Sequence, residues 1–242
     1  MIVSTDPDYL DTKLVKQRLK KLDPFFQELA YWIQKKYASK LLNVYYDKIE
    51  NHRPRLNIIF EFEEDTNKFK DNRGNFIADK QKAVKEKFDR ILLGEPEKNK
   101  NFFSRIFTKA KSAVFDIADK LKFDTDDLLV IFDTFEPVAK EEVNRNISQA
   151  QIDDLERELK TKNVWKIHRE FSTTAIFFYT NDQIDQSVHD GTKDFIKEKY
   201  FGLLKSYDEF NYLKADDMFL TFDSKENFEE TYQGNWFNYY KR

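Results

Sequence analysis

One order of signals runs twice along this chain: helix, strand, strand, helix, strand. That order constrains the fold more than any single motif does. The clearest landmark lies at the last strand. Asp126-Asp127-Leu-Leu-Val-Ile-Phe132-Asp133-Thr134 recurs 90 residues later as Asp216-Asp217-Met-Phe-Leu-Thr-Phe222-Asp223-Ser224, with four identities. Asn43-Val44-Tyr45 and Asn163-Val164-Trp165 open the two strand pairs 120 residues apart, and Phe76-Ile77 and Phe195-Ile196 stand at the following helices 119 residues apart. The shorter spacing at the last landmark implies an insertion in the first copy, which the amphipathic segment 101–121 supplies with Phe103, Ile106, Phe107, Val114 and Ile117.

These landmarks predict an α+β protein with internal duplication of an αββαβ unit, its helices packed on antiparallel or mixed sheet. Counted from Leu128, the second half also has the order βαββαβ, which predicts a ferredoxin-like arrangement. Two lobes follow: residues 1–135, with the inserted helix at 101–121, and residues 136–242, with an aromatic C-terminal tail.

Local patterns fill in the elements. Leu14, Leu19 and Leu22 sit among lysines and suggest a short helix over 12–22. Asp23-Pro24 then offers an N-cap with proline in the first turn of a second helix, whose apolar stripe is Phe25, Phe26, Leu29, Trp32, Ile33 and Tyr37. Leu56, Ile58, Phe60 and Phe62 alternate with Asn57, Glu61 and Glu63, the pattern of a half-buried strand. Glu136 to Asn146 reads as a charged loop, and Ser148 with Gln151 fits a capping box opening a helix through Ile152, Leu155 and Leu159.

Composition narrows the functional classes. The chain carries 41 Lys+Arg and 44 Asp+Glu, a net charge of −3, which argues against a generic nucleic-acid binder, since phosphate neutralisation needs a basic face. With no Cys, thiol nucleophiles and thiolate metal sites are excluded, and with 5 Gly the glycine-rich phosphate loops are missing too. The N-terminal residues lack a basic then apolar leader and no apolar run is long enough to span a bilayer, so a cytoplasmic location is expected.

Candidate chemistry is sparse. The repeated Asp pairs invite a divalent-metal reading, but a strand rises about 3.3 Å per residue, so Asp127 and Asp133 stand too far apart to share an ion. No metal or other cofactor is therefore expected. His52, His168 and His189 share no ligand spacing, and Ser148 lacks a nucleophile elbow. Two surfaces remain as binding candidates. One is the basic strip Lys100, Arg105, Lys109 and Lys111; the other is the tail, with Trp236 and Tyr239 as aromatic anchors, although such a tail can also fold back over a sheet. The expected function is a non-catalytic protein-binding or regulatory module whose partner is another protein. The alternatives are a metal-dependent hydrolase using acidic residues and, third, a nucleic-acid-binding protein using the basic helix.

Overall fold

The alternation at 55–60 makes the centre of a sheet. In the computed structural model, which describes residues 2–94, 122–170 and 173–241, β2 (Pro54–Phe60) pairs antiparallel with β1 (Leu41–Lys48) and parallel with β3 (Leu129–Thr134). Leu56, Ile58 and Phe60 point to one face and are fully buried there with Val130 and Phe132. That face is covered by α2 (Pro24–Tyr37) and α4 (Ala78–Leu93). Asp23 caps α2 by accepting from the Phe25 N–H at 2.9 Å, and Gly94 ends α4 in the left-handed region at φ 70°. Phe26, Leu29 and Ile33 on α2 and Val84, Phe88 and Ile91 on α4 complete the core. The opposite face lies under α1 (Pro7–Lys16). A short helix, α3 (Glu63–Asn67), follows β2.

The second sheet repeats this plan. β4 (Val164–Glu170) pairs antiparallel with β5 (Thr173–Phe178), which pairs parallel with β6 (Leu220–Ser224). Ile167, Ile176 and Phe178 face a core built by α6 (Gln149–Leu159) and α8 (Thr192–Lys205) through Ile152, Leu155, Leu159, Ile196 and Tyr200. The capping box of α6 forms as its sequence requires, Ser148 and Gln151 each accepting the other's backbone N–H. α7 (Asn181–His189) precedes α8, and α9 (Lys225–Tyr232) and α10 (Trp236–Tyr240) close the chain over the other face.

The architecture is α+β, with two mixed three-stranded sheets in the orders β1-β2-β3 and β4-β5-β6. The chain divides into two compact units, Met1–Val138 and Ala139–Arg242. Both sheets carry a register shift near the start of the hairpin, between Leu41 and Asn43 and between Val164 and Lys166. Asp133 opposes Ile59 and Asp223 opposes Phe177, so the last landmark in the sequence is also a structural correspondence.

Five expectations are corrected. β3 pairs with β2 in the first sheet, so the strands from Leu128 onward do not share one sheet and the ferredoxin-like order is not formed. In register, Val44 corresponds to Ile167 and not to Val164, since each faces a core isoleucine, Ile58 or Ile176. The charged stretch after β3 is a helix, α5 (Phe135–Asn146), because Phe135, Val138, Ala139 and Val143 recur at helical spacing and are all buried. Finally, the first helix starts at Pro7 and ends before Arg18, whose φ of 63° breaks it, which leaves Leu19 at 75% exposure. Phe62 likewise falls beyond the strand, half-exposed at the N-cap of α3.

Candidate functional site

A strand's second face is free to be polar, and in the first unit α1 buries that polarity. Asp8 and Thr12, four residues apart, lie on the sheet side of α1 at 1% and 0% exposure, while Val3, Leu10 and Leu14 remain exposed. Asn57, fully buried at the middle of β2, donates through Nδ2 to Asp8 Oδ2 at 2.8 Å and to Asp133 Oδ2 at 3.1 Å. Arg55 grips Asp47 with two hydrogen bonds, 2.9 and 2.6 Å, and reaches Asp8 at 3.5 Å. The Asp47 hydrogen bond holds the guanidinium firmly charged, above its already high ordinary pKa. Burial of two carboxylates costs several kcal/mol each unless they are paired, so this network is what allows α1 to seat on the sheet. One atom stands out: Asn57 Oδ1 is buried without a hydrogen-bond partner.

The network reaches the surface through Asp11 and Asn43. Asn43 Nδ2 donates to Asp11 at 3.0 Å and to the Thr12 hydroxyl at 3.1 Å, and Lys20 pairs with Asp11 at 2.5 Å. Asp11, Lys20 and Asn43 also line a cleft of about 430 Å³ between the α1–α2 connection and β1. Lys21, Asp23 and Gln27 line it as well, and Leu22, Phe26, Val44, Tyr46 and Phe123 give it apolar and aromatic walls. Phe123 stacks edge-on against Phe26 and Tyr46 at 5.5 and 5.0 Å, which fixes that wall. Burial, reinforced by the nearby Asp47, Asp11 and Asp8, raises the pKa of Tyr45, so this cleft residue stays a neutral phenol at physiological pH. The floor is β1, the first strand in its sheet, and no strand pairs with its outer edge among the described residues.

The matching edge of the second unit is closed. Glu156 on α6 accepts from the Ile167 N–H at 3.1 Å and pairs with Lys166 at 3.3 Å, so a charged side chain occupies the strand edge. The outward face of this sheet is aromatic. Ala175 and Phe177 stand where Asn57 and Ile59 stand in the first sheet, and Phe228, Trp236 and Tyr239 cover them. His168 stacks on Trp236 with centroids 3.8 Å apart and its Nδ1 lies 3.0 Å from the Tyr240 hydroxyl. Burial lowers the pKa of His168 and, with help from Glu170, raises that of Tyr240 to about 12.

The sequence-derived candidates distribute as follows. Lys100, Arg105, Lys109 and Lys111 lie outside the described residues. Tyr239 is 6% exposed and donates its hydroxyl to Asp223 at 2.8 Å, while Trp236 is partly exposed and packs on Phe228 at 4.1 Å, so the tail folds back over the sheet. Asp127 sits in a turn with Arg53 at 2.9 Å, away from the buried Asp133 on β3. His52 lies exposed in a turn and His189 at the end of α7. Among the described residues no set of three His, Asp or Glu is placed to hold a metal ion. No described helix is long and apolar enough to cross a membrane. Sequence reasoning missed the cleft, although Asn57 within an apolar strand and the Asp8–Thr12 spacing both marked the polar face beside it. Comparison with protein-family models, curated proteins and solved structures gives no match.

Proposed function

We propose that the chain is a non-catalytic, cytoplasmic protein-binding module and that its first unit receives an extended segment of another protein along β1. The observation that supports this is the open strand edge at the floor of a cleft walled by aromatic residues and lysines. An exposed edge offers a row of backbone donors and acceptors to an incoming strand, and neighbouring side-chain pockets supply selectivity. The two units are read as copies of one αββαβ unit, on the support of their common strand order, pairing senses and hairpin register shift. In that reading the second copy keeps the plan and closes the edge.

A photo-crosslinking amino acid placed at Gln27, exposed at the cleft, should capture a protein partner in cells, and the same group at Tyr31, on the outer side of α2, should not. Equal capture from both positions, or none from Gln27, overturns the proposal.

A metal-dependent hydrolase is the second reading, favoured by one observation: Asp8, Asn57 and Asp133 converge from α1, β2 and β3 within hydrogen-bond distance. Against it, both carboxylates are already held by Asn57 and neither lines the cleft. Calorimetry with Mg²⁺ and Mn²⁺ tests it; micromolar binding that is lost in Asp133→Asn would establish it.

A further inference from the structure

The two hairpins share a register, and that register says what the open edge is missing. Val44 and Ile167 occupy the same place after the bulge and opposite the same core position. In an antiparallel ladder the N–H groups of successive residues point alternately toward the partner strand and away from it. The Ile167 N–H points away from β5, because it donates to Glu156 at 3.1 Å. The common register therefore sends the Val44 N–H outward from β2, and Val44 lines the cleft. In the second unit this donor and the neighbouring Lys166 meet one carboxylate. In the first unit the corresponding donor has no such carboxylate from its own chain among the described residues. The cleft's own acids are committed elsewhere: Asp11 to Lys20 and Asn43, and Asp23 to the Phe25 N–H. Lys21, exposed on the cleft wall, makes no ion pair among the described residues.

We infer that the partner segment delivers an aspartate or glutamate to this edge, its carboxylate accepting from the Val44 N–H and pairing with Lys21, in the role that Glu156 plays for Ile167 and Lys166. This rests on the reading of the cleft as a strand-docking site and adds the chemistry of its occupant. A charged acceptor forms a stronger bond to a backbone N–H than a neutral one does, so the carboxylate sets selectivity among extended segments that could all add to the edge. The apolar walls take the side chains on either side of it.

The test uses the full chain, immobilised, and a randomised pool of octapeptides blocked at both ends. Peptides carrying Asp or Glu flanked by apolar residues should be enriched. For one such peptide, replacing the acid by its amide should weaken binding about tenfold, the scale of one charge-assisted hydrogen bond. Lys21→Glu should remove that difference without unfolding an exposed surface. Val44→Pro, which deletes the outward N–H while sparing the ladder to β2, should do the same, provided its circular dichroism matches that of the parent. Enriched peptides that bind the parent chain but show no acid–amide difference would overturn the carboxylate and leave strand docking standing. Capture that is indifferent to both substitutions would place the peptides elsewhere and overturn the docking reading together with the inference.

Discussion

The two sheets have the same order, the same pairing senses and a matching register shift, yet their outward faces are chemically opposite. Asn57, Arg55 and Asp133 make the first a buried polar network, while Phe177, Trp165 and Trp236 make the second an aromatic stack. The inward faces, by contrast, are interchangeable in kind: Leu56, Ile58 and Phe60 against Thr174, Ile176 and Phe178. Topology is thus fixed by one face, and the other is left to take whichever covering element the chain supplies. α1, whose sheet side carries Asp8 and Thr12, needs polar partners, and α10, which carries Trp236 and Tyr239, needs apolar ones. Asp133 and Asp223 show the rule at a single position: the same residue, in the same register, holds α1 through Asn57 in one unit and the Tyr239 hydroxyl of α10 in the other.

The largest expected effect lies on the aromatic face. Phe177 is fully buried among Trp165, Phe228, Trp236 and Tyr239. Phe177→Ala should cost about 3–5 kcal/mol in urea denaturation, as a cavity in a packed core does. A loss below about 1 kcal/mol, within the range of ordinary surface changes, would mean that the tail is not part of the core of its unit. On the polar face, Asn57→Ala should cost about 2–3 kcal/mol, because it removes the shared donor and leaves Asp8 and Asp133 without it. The same exchange made in reverse, Ala175→Asn, should also destabilise, since Ala175 is fully buried in the aromatic cluster and Asp223, which stands in the place of Asp133, already accepts from the Tyr239 hydroxyl and the Asn227 amide. If either substitution proves neutral, the two faces are not the distinct environments described.

Edge chemistry gives the next effect. Glu156→Ala should cost about 1 kcal/mol, one hydrogen bond to a partly exposed group, while freeing the Ile167 N–H. Its sharper readout is sedimentation: with β4 opened in addition to β1, self-association should rise with concentration more steeply than in the parent chain. The smallest effect is electrostatic. The imidazolium of His168 is disfavoured in the folded state by burial, so its folded pKa lies below the ordinary value of about 6.5. Below that value the unfolded chain binds the proton more readily, and stability should fall as pH drops from 7 toward 5. Glu170 and Lys166 act on the group in opposite senses, and the Tyr240 hydroxyl and the Trp236 ring face it from α10. His168→Asn should flatten the slope. A slope unchanged by this substitution would assign it to other groups.

The apolar halves of the strands and helices were legible because burial imposes a period. Alternation marked Leu56, Ile58 and Phe60, and helical spacing marked Ile152, Leu155 and Leu159, all of which are buried. α5 was not legible in the same way, since its five charged residues, Glu136, Lys140, Glu141, Glu142 and Arg145, outnumber the four apolar residues that define its buried side. The cleft was illegible for a different reason. It joins Lys20, Pro24 and Val44, brought together where α2 packs on β1, with Phe123, which returns to them only through the crossover that places β3 beside β2. Whether an edge is open or closed was equally hidden, because Glu156 in sequence resembles any surface glutamate of a helix.

The likeness of β3 and β6 has a cost during folding. Each offers Phe-Asp followed by a hydroxyl residue, and each must find the right hairpin before the other is claimed by the wrong one. The stretch between β5 and β6 is shorter than that between β2 and β3, but loop closure depends on length only logarithmically and favours the shorter by about half a kcal/mol. Chain length alone is a weak arbiter between two such similar suitors. Either strand would carry an aspartate to the amide of Asn57, so the decision falls to the residues flanking Phe-Asp: Thr134 after β3's pair meets the Thr66 hydroxyl of α3 at 2.6 Å, and β6 leads into a helix whose Asn227 returns to Asp223 at 2.8 Å. These flanking polar contacts therefore act as addresses, telling two strands that share the Phe-Asp pair which sheet is theirs.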